Sequence, residues 1–235
     1  MSKTWKRTLF GGLAAVIAFS GFVGFAHTGA GRPLLAWLSG APGCPVSLEG
    51  GDASTVEEFR VAQLKRAVGS ETARSHPALE FELGRTHRDA VSSWARAQGA
   101  TCKSLRDESV LRCTGFAKRA GDALVIDDAH LQFDARGVLV AVDVYRRRSS
   151  ADEALALVQQ RAKALDAAVG PRTQDRTHAA SLLRTQPFTR VAVSYEYRQY
   201  VAELSATNLA ERGIRVRERY SYLPATSLAL NDRVP

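Results

Sequence analysis

AHLQFDARGVLVAVDVY, residues 129–145, reads as two strands joined at Asp134-Ala135-Arg136-Gly137. Leu131 and Phe133 alternate with His130 ahead of the turn, the period-two pattern of a half-buried strand. His130 therefore falls on the polar face. Strands joined so tightly run antiparallel, because a parallel pair needs a long crossover. Just upstream, TCKSLRDESVLRC (101–113) suits a second hairpin with its turn at Asp107-Glu108. In that register Cys102 faces Cys113, and Leu105 meets Val110 on the opposite face.

Outward from these hairpins the chain alternates helices with groups of strands. Ser54-Thr55-Val56-Glu57 is a capping box, opening a helix that presents Val56, Phe59 and Leu64 and runs to Gly69. HPALEFELG (76–84) comes next, its Leu79, Phe81 and Leu83 alternating as a short strand would. Thr86 is placed to cap a second helix, with Asp89 at N3, Val91 and Trp94 on one face and Gly99 at its end. The theme then repeats. Ser150-Ala151-Asp152-Glu153 is another capping box, and Leu155, Val158, Ala162, Leu165 and Val169 keep a helical stripe up to Gly170-Pro171.

After a polar loop, 172–187, come three strands. RVAVSYEY (190–197) places Val191, Val193, Tyr195 and Tyr197 on one face, and YVAELSAT (200–207) succeeds it. IRVRERYSY (214–222) sets Ile214, Val216, Glu218, Tyr220 and Tyr222 against Arg215, Arg217 and Arg219. Helices segregated from antiparallel strands make an α+β protein rather than a parallel-sheet one. The expected organisation is two helix-plus-antiparallel-sheet units, 52–148 and 149–235, behind an N-terminal membrane helix.

GRTHRDAV (84–91), the helix to Gly99, the cysteine hairpin and LQFDARGVLVAVD (131–143) together resemble the BamE/SmpA-like lipoproteins of outer-membrane barrel assembly. The same helix-plus-sheet unit occurs in tandem in β-lactamase inhibitor proteins. The resemblance covers residues 84–143 and rests on short motifs. It implies a non-catalytic module that binds other proteins through its sheet.

The N-terminus supplies an address. MSKTWKRT carries Lys3, Lys6 and Arg7 ahead of an uncharged run, residues 9–26. A basic flank holds segment 1–8 in the cytoplasm, so the chain beyond the apolar run is exported. A cleaved signal core has about 7–15 apolar residues and a spanning helix roughly 20. The length of 9–26 favours an uncleaved anchor in the inner membrane with a periplasmic C-terminal domain. Gly24-Phe25-Ala26 and Thr28-Gly29-Ala30 are nevertheless acceptable cleavage sites for a signal peptide. Residues 27–51 form a Gly/Pro-rich linker, in which Leu34-Leu35-Ala36-Trp37-Leu38 could lie at the membrane interface or dock on the domain.

Export turns the facing cysteines into a disulfide, because thiols oxidise outside the cytoplasm. The leftover Cys44 has Ala41 at −3 and Pro42 at −2, far beyond the apolar run, which argues against lipidation. A buried thiol and an intermolecular disulfide are both compatible with its position.

Motifs for chemistry are sparse. None of His27, His76, His87, His130 and His178 falls in a zinc-protease motif, and the sequence carries neither a nucleophile elbow nor a phosphate loop. Asp127-Asp128-Ala129-His130 is the best metal-like cluster, but without a distant ligand set it reads as a solvated turn. We therefore assign no catalytic residue, metal or cofactor.

The formal net charge of +8 is concentrated in residues 146–235, which carry fifteen bases against nine acids. Arg215, Arg217 and Arg219 project from one strand face about 6–7 Å apart. Arg198 is expected to join them, with Glu196 and Glu203 as cross-strand partners. Such a row suits an acidic protein or an anionic envelope component. The competing reading is a solvated sheet face. Nucleic acid is excluded as a partner by the exported location. The sequence thus points to a membrane-anchored, extracytoplasmic binding or scaffolding protein of the cell envelope. The alternative is an exported metal-dependent or hydrolase-type enzyme with a dispersed site.

Overall fold

The computed structural model describes residues 53–117 and 125–224. The segments 1–8, 9–26 and 27–51, with Cys44, lie outside the described residues. Among those described, no helix is long and apolar enough to cross a membrane. The helices are α1 (Ala53–Ala67), α2 (Arg88–Ala97) and α3 (Ala151–Ala168). The strands are β1 (Pro77–Ala78), β2 (Phe81–Glu82), β3 (Thr101–Leu105), β4 (Val110–Thr114) and β5 (Asp128–Phe133), then β6 (Leu139–Ser149), β7 (Gln174–Arg176), β8 (Arg190–Glu196), β9 (Tyr200–Asn208) and β10 (Ile214–Tyr222).

The architecture is α+β. Apart from the small β1–β2 hairpin, the strands form one eight-stranded antiparallel sheet in the order β3-β4-β5-β6-β10-β9-β8-β7. A helix leading into a four-stranded meander thus occurs twice, as α2 with β3–β6 and α3 with β7–β10. The last strand of each meander, β6 and β10, pairs with the other at the centre of the sheet. Both meanders therefore bury their apolar faces in one continuous core rather than in two.

Local chemistry explains most elements. The α3 capping box forms as expected: the Ser150 hydroxyl accepts the Glu153 N–H, and the Glu153 carboxylate accepts the Ser150 N–H. Its stripe lies on the sheet through Leu157, Val158, Ala162 and Leu165, all buried. Cys102 pairs with Cys113 and Leu105 with Val110 in the β3–β4 ladder, and the two cysteines form a disulfide. Arg106, Asp107 and Glu108 turn that hairpin at φ 53°, 50° and 67°.

Four expectations change, the first being that α1 spans Ala53–Ala67, so Ser54 lies within the helix rather than capping it. HPALEFELG is not one strand, because the chain reverses at Leu79, whose φ is 57°, and Ala78 pairs back with Phe81. The apolar residues still point inward, since Ala78, Phe81 and Leu83 are buried. The cap of α2 is His87 rather than Thr86, with no side-chain cap bond. Arg88 N–H instead donates to the Gly137 carbonyl, and the Thr86 hydroxyl accepts the Glu82 N–H. The loop 172–187 contains β7 and a 3-10 turn, Ala180–Arg184, whose Leu183 is fully buried.

One charged cluster sits on the inner face at the β6–β10 seam. Glu218 is 1% exposed and accepts Arg146 Nε at 2.8 Å and the Tyr220 hydroxyl at 2.9 Å, with Arg161 Nε at 3.4 Å. Alternation puts Glu218 on the apolar face, and two arginines and a phenol make that placement tolerable. On the opposite face lies α1, which buries Leu64 and Arg60. Arg60 Nη1 donates to the Tyr222 carbonyl.

Candidate interaction surface

Because antiparallel registry places paired residues on one face, the ladders define rows across the outer side of the sheet. One row is Lys103, Arg112, His130, Asp143, Arg219, Glu203, Ser194 and Gln174, one residue from each of the eight strands. Every member is polar. With strands about 4.8 Å apart, the row runs about 34 Å. The adjacent row is Thr101, Thr114, Asp128, Tyr145, Arg217, Ser205, Ala192 and Arg176. A third row, on the other side of the first, includes Val110, Ala141, Ser221 and Val201. It borders grooves whose other walls include Arg60, Leu64 and Ala67 of α1.

Tyr145 is the hub of the first meander's contribution. Its hydroxyl donates to Asp143 at 3.1 Å, and the His130 ring stands 6.2 Å away, edge to face. The Cζ atoms of Arg215 and Arg217 each lie 5.3 Å from its centroid, within cation–π range. Burial, reinforced by the Asp143 charge, holds the Tyr145 phenol above its ordinary value. Arg217 makes a two-pronged ion pair with Asp143, which keeps the guanidinium charged. Arg112 forks onto Asp128, with Nη2–Oδ2 at 2.7 Å.

Arg215, Arg217 and Arg219 share the outer face, as their alternation predicts, but they are not equivalent. Arg217 is committed to Asp143. Among the described residues, Arg215 and Arg219 have no carboxylate within ion-pair distance. Arg198 does not join them. It lies in the β8–β9 turn, where its backbone N–H donates to the Glu71 carbonyl. The expected glutamate partners also differ. Glu203 sits opposite Arg219 but bonds Arg190, and Glu196 accepts Gln174 Nε2.

Asp143 and Tyr145 are functional candidates that the motifs alone do not single out. Continuing the alternation of 129–145 past its turn would have placed both on the polar side. The Asp127-Asp128-Ala129-His130 segment is divided by strand geometry: Ala129 is buried, and Asp128 is engaged by Arg112 with His130 Nε2 at 3.3 Å. Among the described residues, no three His, Cys, Asp or Glu side chains gather as a metal site would require. No family model, no curated protein and no solved structure matches this chain.

Proposed function

We propose that this protein is a membrane-anchored, extracytoplasmic binding or scaffolding module of the cell envelope, using the outer sheet face as its contact surface. The observation that carries the reading is the unbroken polar row across all eight strands, flanked by Tyr145 and the arginines. This face sets Tyr145 among several arginines, and Tyr and Arg are enriched where interfaces are strongest. The tandem helix-plus-meander plan also fits the resemblance to modules that bind through a sheet; the basic flank before residues 9–26 supports export, and the length of that run supports a retained anchor.

The test is crosslinking in native membranes, then capture of the partner, then affinity measurements with Arg215, Arg217 and Arg219 replaced by Gln. Partially exposed substitutions of this kind shift stability by only about 0.5 kcal/mol each, somewhat more at the Asp143-paired Arg217. The variant should bind the captured partner more weakly and with reduced salt sensitivity, because screening acts beyond about 8 Å at physiological ionic strength. Unchanged affinity and salt dependence would leave the sheet as a solvated face.

A further inference from the structure

We infer that the Tyr145 cluster anchors an acidic segment of a partner protein, with the Arg215 guanidinium as principal contact; this rests on the sheet-face reading above. Ile214 pairs with Ser149, whereas Val216 pairs with Arg146, so β6 carries an extra residue opposite Arg215. Such a bulge breaks the ladder and re-aims a side chain. Arg215 lies against the Tyr145 ring, and its Nε is buried without an acceptor. Asp143 does not serve it, since that carboxylate already takes Arg217 through both oxygens and the Tyr145 hydroxyl. The buried Nε faces inward, so the outer Nη nitrogens, fixed in direction by the ring and without a carboxylate, are the donors preorganised for an incoming carboxylate.

Charge balance points to the same ligand. The outer surface of β3–β6 and β10 carries Lys103, Arg112, Arg215, Arg217 and Arg219 against Asp128 and Asp143. Both aspartates are spent on Arg112 and Arg217. Lys103, Arg215 and Arg219 remain without a carboxylate among the described residues. A protein segment suits this pattern better than a phosphate polyanion or a lipid surface. Its spaced carboxylates match three open cations separated by neutralised ion pairs, whereas a continuous row of phosphates would meet those neutral pairs without a counter-charge.

The experiment measures anisotropy of a fluorescein-labelled Glu-Ser repeat peptide titrated with the full-length chain. Wild type should bind, and Arg215→Gln should weaken binding about tenfold, as expected for loss of one charge-assisted hydrogen bond. Arg215→Lys, which keeps the charge but not the planar fork, should restore less than half of that loss. Arg212→Gln, an exposed arginine on the 3-10 turn between β9 and β10, should change affinity by less than about twofold. Equal losses at Arg212 and Arg215 would overturn the proposal in favour of diffuse attraction. Absence of peptide binding, with Arg215-dependent sedimentation on phosphatidylglycerol vesicles, would overturn it in favour of lipid. Absence of peptide binding while crosslinks to a membrane partner still map to the outer face would sink the acidic-segment inference alone. Crosslinks arising only from the α3 side would sink the sheet-face reading itself.

Discussion

Glu218→Ala is the most demanding test of how the two meanders are joined. The carboxylate is 1% exposed and compensates Arg146, whose side chain is 7% exposed, at 2.8 Å. Breaking a buried pair by removing one partner costs about 3–5 kcal/mol, because the remaining charge is left in a poor solvent. The Tyr220 hydroxyl also loses its acceptor, which adds about 1 kcal/mol. Two features moderate the sum. Arg161 is 38% exposed and can turn to water, and Arg146 has further contacts of its own. The expected loss is therefore about 3–4 kcal/mol, a large share of the roughly 5–15 kcal/mol that stabilises a typical domain. Urea unfolding of the full chain at neutral pH, monitored by circular dichroism, measures it. A companion variant, Arg146→Met with Glu218→Leu and Tyr220→Phe, replaces the cluster with apolar groups and should remain within about 1 kcal/mol of wild type. A loss below about 1 kcal/mol for Glu218→Ala would refute the buried-pair reasoning and imply that water reaches the seam.

The same chemistry sets three further outcomes. Cys102→Ser with Cys113→Ser should lower stability by roughly 2–5 kcal/mol, and mass spectrometry of non-reduced peptides should find the two cysteines linked. Burial, opposed by Glu82 and assisted by Arg85, lowers the His76 pKa below 6.5. The unfolded chain therefore takes up a proton first, so stability is lost as pH falls below 6.5, and His76→Gln should show a shallower decline in parallel acid titrations. If residues 9–26 anchor the chain uncleaved, the carbonate-washed membrane fraction should contain protein beginning at Met1 or Ser2; a start at His27 or Gly31 would show processing instead.

The legible parts of the fold were those where local and long-range preferences agree. The cysteine hairpin, the 129–145 hairpin and the α3 capping box each combine turn or cap chemistry with a matching apolar period, and each forms where expected. β7 was not legible because Gln174, Asp175 and Arg176 offer no apolar alternation; the strand exists through pairing with β8. The reversal at Leu79 was hidden because alternation persists through a two-residue turn. At the surface, the period-two pattern of β10 revealed its three outward arginines but not their differing employment. Asp143 and Tyr145 lie far from them in sequence and become neighbours only when β6 pairs with β10. Arg198 failed for the reverse reason, since its proximity in sequence to β8 leads only to a turn.

Photo-crosslinking in native membranes tests the central claim most directly. A benzophenone side chain placed at position 112 or 130, in the polar row, is compared with one at Lys163, on the solvent side of α3. The account predicts that positions 112 and 130 yield the same discrete protein adduct, lost when Arg215 and Arg219 are changed to Gln, whereas position 163 yields none. An adduct from position 163 alone, or one indifferent to those arginines, would contradict it.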